Sequence, residues 1–116
     1  DTAATITYTL PTPVEGMEFE FLTTVLATGA HKVITKTILT DFIIGAVTSG
    51  DLSGPATDVF QANGTSHVAV TQRASDTTTG GLVGSSFKLT AISATQWAVR
   101  GSIVGTATVA DPFATS

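Results

Sequence analysis

The chain has 116 residues, 12% of them charged, with five Lys+Arg against nine Asp+Glu, a formal net charge of -4 and no cysteine. That length supports one domain at most. The absent thiols exclude a disulfide framework and a Cys-based zinc site. Five scattered cations argue against nucleic acid as a partner, and no apolar run approaches the ~18–20 residues of a membrane span.

Thr, Val and Ile together supply 41 of the 116 residues. β-branched side chains fit a pleated surface and lose rotamer freedom in a helix, so the composition predicts sheet. Thr5 to Leu10 reads as a first strand, stopped by Pro11 and Pro13, which cannot donate to a ladder. Met17 to Leu26 is the clearest strand, because Met17, Phe19 and Phe21 alternate with Glu18 and Glu20. Ala27 to Ala30 then reads as a turn returning a hairpin partner.

His31 to Leu39 fits both a helical stripe and a strand face, and its threonines favour strand. Asp41 to Val47 is a further short strand, and Thr48 to Pro55, rich in Gly and Ser, is a loop. Val59 to Gln61 and His67 to Gln72 flank Asn63-Gly64, the residue pair most suited to a two-residue hairpin turn. Ala74 to Gly84 is the longest loop. Phe87, Leu89 and Ala91 alternate with polar residues, as do Trp97 and Val99, with Ser93 to Thr95 linking the two. Ile103 to Val109 is a last strand-like segment.

These elements predict one all-β domain over residues 1–116: a small sandwich, jelly roll or barrel of about eight or nine short strands. Residues 1–4 form an N-terminal arm and 111–116 a C-terminal tail. Phe19, Phe21, Phe87 and Trp97 fall at period-two positions expected of a core. Phe113 follows Pro112 in the tail, where it either anchors a neighbouring subunit or folds back on its own domain.

Chemistry-bearing patterns are sparse. Gly50-Asp51-Leu52-Ser53-Gly54 lacks the spacing of a nucleophile elbow and reads as a loop whose Asp51 and Ser53 bond nearby backbone. His31 and His67 are the only imidazoles and read as surface or edge-strand residues, since a zinc site needs about three converging ligands. Glu18 and Glu20 lie roughly 7 Å apart on one strand face and read as its solvated side. Asp41, Asp51, Asp58 and Asp76 sit near loops without any tandem calcium-binding pattern. Gly80 to Gly84 lacks the Lys-Ser/Thr of a phosphate loop. The residues therefore predict no catalytic group, no metal and no cofactor.

The stretch Leu10 to Phe21 (LPTPVEGMEFEF) resembles small virion proteins of tailed bacteriophages. So does Leu89 to Gly101 (LTAISATQWAVRG), with Gly105 to Thr108 and Pro112-Phe113 after it. The family includes capsid decoration (cement) proteins and β-rich fibre modules, and the likeness covers about a third of the chain. The resemblance implies a non-enzymatic structural protein, a homotrimer or a dimer, bound to the major capsid protein on the outer surface of the virion. Expected partner contacts are Pro112 and Phe113 in the tail and Asp1 and Thr2 in the arm. The alternative is a binding module of a fibre or a carbohydrate-binding β-sandwich.

Overall fold

The computed structural model describes residues 5–72, 78–106 and 108–116. Asp1, Thr2, Asp76 and the first part of the expected 74–84 loop lie outside the described residues. Among those described there is no helix, and nine strands form two sheets. In chain order they are β1 (Thr7–Thr9), β2 (Glu18–Leu22), β3 (His31–Ile34), β4 (Phe42–Asp51), β5 (Thr57–Asn63), β6 (Ala69–Gln72), β7 (Ser86–Ala91), β8 (Gln96–Gly105) and β9 (Phe113–Ala114). One sheet has the order β1-β3-β6-β9 and the other β2-β7-β8-β4-β5. The architecture is all-β as expected and, of the sandwich, jelly roll or barrel anticipated, a two-sheet sandwich; the sheets do not close into a barrel.

The core follows from register. Across the five-stranded sheet Phe19, Leu89, Val99, Gly45 and Ala62 align in one row. Phe21, Phe87, Gly101, Val47 and Phe60 align in the row two residues along. Period-two alternation sends these rows to one face, where Trp97, Ile43 and Ile103 join them. The four-stranded sheet answers with Val33, Val70 and Phe113, aligned through β3, β6 and β9. Trp97 is 0% exposed, and Leu89 and Phe87 are buried, as their alternation predicts. Phe21 is only half-buried and Phe19 is 36% exposed, because both lie on an outermost strand.

Several local expectations are corrected. The 27–30 segment does not return a hairpin, since β2 pairs with β7 while β3 pairs with β1 and β6 in the other sheet. Asn63-Gly64 is not a hairpin turn either: β5 and β6 belong to different sheets, and the segment carries the chain between them. Asn63 Oδ1 accepts from the N–H groups of Thr65, Ser66 and His67, at 3.0, 2.9 and 3.3 Å. Gly64 supplies the positive φ of 75° that this bend requires. The same turn chemistry therefore serves a crossover.

Thr48 to Asp51 is strand rather than loop, because β4 pairs in parallel with β8 over ten residues and antiparallel with β5 on its other side. Ladder bonds on both sides override the weak propensity of Ser49 and Gly50. β8 likewise runs unbroken through Gly101. A Cβ there would collide with the backbone of Ser86 and Phe87, so this glycine allows close packing instead of ending a strand. The expected Met17–Leu26 and His31–Leu39 strands shorten to Glu18–Leu22 and His31–Ile34. The chain turns after Ile34, with Asp41 accepting from the Thr37 N–H at 3.3 Å.

Candidate functional site

The two sheets meet differently along their two long sides. On one side, β5 and β9 lie against each other. There Phe113 pairs in register with Val70, stacks on His67 at a 5.8 Å centroid distance and is 7% exposed. Pro112 is fully buried, and its carbonyl accepts from both the N–H and the hydroxyl of Thr71, at 2.7 and 2.9 Å. Of the two alternatives for the tail, the fold-back is the one found. Pro112 and Phe113, expected as partner contacts, are buried within their own domain. Asp1 and Thr2 lie outside the described residues.

The other side is open. β1 and β2 are the outermost strands of their sheets there, joined by a tilted contact between Tyr8 and Phe21, with centroids 6.1 Å apart. Phe21 stacks inward on Phe87 at 5.2 Å, and Phe19 leans on Trp97 at 5.8 Å. Outside these rings Tyr8 is 49% and Leu22 60% exposed, and Val25 and Leu26 are exposed beside them. A cleft of about 240 Å³ runs between the sheets here, lined by Tyr8, Phe21, Thr23, Val25, His31 and Gln72. A smaller recess of about 30 Å³ continues from it to Val33, Val70 and Phe87.

Polar groups cross this seam. The Thr23 hydroxyl donates to Gln72 Oε1 at 3.4 Å, tying the β2 side to the β6 side. His31 Nδ1 accepts the Ile6 N–H at 3.1 Å, which holds the segment entering β1. An accepting Nδ1 sets the neutral ring with its proton on Nε2. His67 Nδ1 accepts the Asn63 N–H at 3.1 Å in the same manner. Both histidines thus brace backbone at sheet margins, and among the described residues no three His, Cys, Asp or Glu side chains converge as a metal site would need.

The outer face next to the seam is charged. Glu18 forms an ion pair with Lys88 at 3.6 Å and accepts from the Thr90 hydroxyl at 3.4 Å, while Glu20 lies directly across from Lys88 in register. These exposed contacts are weak. At the end of β4, Asp51 Oδ1 accepts from the Ser53 N–H at 2.8 Å and its hydroxyl at 2.7 Å, so Asp51 does bond nearby backbone as expected.

Sequence reasoning did not single out Tyr8, Leu22, Val25, Leu26 or Gln72, and it read His31 as a surface or edge-strand residue. The available signal was the apolar cluster Leu22 to Leu26, which continues past the point where the Glu/Phe alternation stops. No protein-family profile, curated protein or solved structure matches this chain.

Proposed function

We propose that this chain is a structural virion protein, a capsid decoration protein that binds the outer surface of a tailed-phage head through the major capsid protein and stabilises the shell. The reading rests on the resemblance of two sequence patches to such proteins. The observation that carries it further is where the first patch lies: Leu10 to Phe21 comprises the β1–β2 connection and most of β2, which border the open seam. An exposed apolar margin with a polar rim is the kind of surface that covers itself against another protein. Each contact would be modest, and many copies on a lattice would attach firmly through multivalency. A homotrimer, or a dimer, suits a capsid axis of matching symmetry. The role is adhesive and non-enzymatic and calls for no cofactor.

The test is binding of the purified chain to heads of the source phage stripped of it, followed by sedimentation. Stoichiometric co-sedimentation, with greater resistance of the reloaded heads to heat or osmotic shock, is the expected result. Failure to bind, or binding in trace amounts without any effect on the shell, overturns the reading.

A second reading, a carbohydrate-binding module, is favoured by one feature. Tyr8 presents a half-exposed ring beside the Thr23, His31 and Gln72 side chains, and a ring with hydrogen-bonding neighbours suits the apolar face and hydroxyls of a sugar. Trp97 is too deeply buried for that work. Titration of the chain with mono- and disaccharides should then shift the Tyr8 ring resonances; unmoved resonances remove this reading.

A further inference from the structure

We propose that β2 is a strand acceptor, and that its occupant is an extended segment of the partner protein in which basic side chains alternate with apolar ones. This deepens the shell-binding reading and rests on it for the identity of the partner.

The hydrogen-bond phase of β2 is fixed at both ends. The Thr23 N–H donates to Ser85 O and the Ala91 N–H to Met17 O, each at 2.8 Å. Antiparallel ladders alternate, so Met17, Phe19, Phe21 and Thr23 bond toward β7. The backbone groups of Glu18, Glu20 and Leu22 therefore point away from it. β2 is the last strand of its sheet, and among the described residues no strand lies beyond it. Such a row of donors and acceptors is a template for one more strand.

Charge selects what that strand is. In register across the outer face run Arg100, Lys88 and Glu20, two cations and then a carboxylate at the margin. Opposite charges directly across a sheet stabilise it and like charges destabilise it. The position beyond Glu20 therefore favours Lys or Arg, and so does the position beyond Glu18. A second copy of β2 is disfavoured, because antiparallel registers centred on Phe19 or Glu20 set Glu against Glu. The same carboxylates that admit a basic strand thus reject self-pairing. Residues of the incoming strand opposite Phe19 and Phe21 would point the other way, toward the seam and the half-exposed ring of Tyr8, which favours apolar side chains there.

The test uses the full chain, isotope-labelled, with an alternating lysine–valine hexapeptide as the probe and a glutamate–valine hexapeptide as control. The lysine peptide should shift the amides of Glu18, Glu20 and Leu22 and the ring of Tyr8, with binding that weakens as salt rises. Glu20→Pro removes an N–H that faces away from β7, so the β2–β7 ladder loses no bond. It should keep the melting temperature within a few degrees and cut affinity at least about tenfold. Where Glu20→Pro fails to fold, the pair Glu18→Lys and Glu20→Lys decides by reversing the peptide preference. Shifts mapping elsewhere, or undiminished binding by folded Glu20→Pro, overturn the acceptor role, as does unreversed preference in the Lys pair. Stripped heads separate the two readings. Wild type and Glu20→Pro binding heads equally well overturns the acceptor and leaves the shell role. A chain that takes the lysine peptide at β2 but ignores heads overturns the shell role and leaves the acceptor.

Discussion

Phe113 and Tyr8 both lie at a margin of the same sandwich, one 7% and the other 49% exposed. On the β5/β9 side the chain returns after its last long strand and lays Pro112 and Phe113 against β6. The crossover from Asn63 brings His67 up against the Phe113 ring. On the β1/β2 side no later strand arrives among the described residues, and Tyr8, Phe21 and Leu22 share a cleft. Burial of a marginal aromatic is thus decided by whether the chain returns to cover it. An uncovered margin is a surface available to a second molecule.

The sharpest way to break this contrast is Phe113→Ala. Truncating a buried aromatic costs about 3–5 kcal/mol, and denaturant unfolding should show that loss. A folded variant of unchanged stability would mean that the tail is not a core element. Asn63→Ala comes next. It strips the acceptor from three backbone N–H groups, and a loss of about 1–2 kcal/mol is expected from the unfolding midpoint. Tyr8→Ala on the open side should cost less than about 1 kcal/mol while weakening attachment to heads. A loss as large as that of Phe113→Ala would put Tyr8 in the core and erase the contrast. Smallest is the pair Glu18→Gln and Glu20→Gln, with a stability change within about 0.5 kcal/mol. Its measurable consequence is a flatter salt dependence of lysine-peptide binding, read by titration at two ionic strengths.

Fold class was legible because it is a sum of local preferences: β-branched residues, frequent turns, and alternation at Phe87-Leu89-Ala91 and Trp97-Val99. Strand partners were not, because they depend on residues far along the chain. Asn63-Gly64 has the turn chemistry of a hairpin, yet the strands on either side of it lie in different sheets. Ser49 and Gly50 read as loop, and only the ladders on both sides of β4 make them strand. Trp97-Val99 and Ile103 to Val109 read as separate segments, and that one strand runs through Gly101 depends on Phe87 of a neighbouring strand, for which this glycine makes room. The tail's aromatic left two alternatives open, and the sheet edge at β6 decided between them. At the candidate site, Glu18 and Glu20 were correctly read as a solvated face. That this face borders an open margin required knowing that β2 is outermost, which no local pattern encodes.

The parallel pairing of β4 with β8 carries a consequence for how the molecule is made. Each partner pair in it is 54 positions apart, and β8 lies between β7 and β4 at the middle of its sheet. A nascent chain on the ribosome therefore lacks the central plank of its larger sheet until residue 105 has emerged. Non-local pairing of this kind slows folding, so the domain should stay protease-sensitive until β8 is clear of the ribosome and gain resistance only after that.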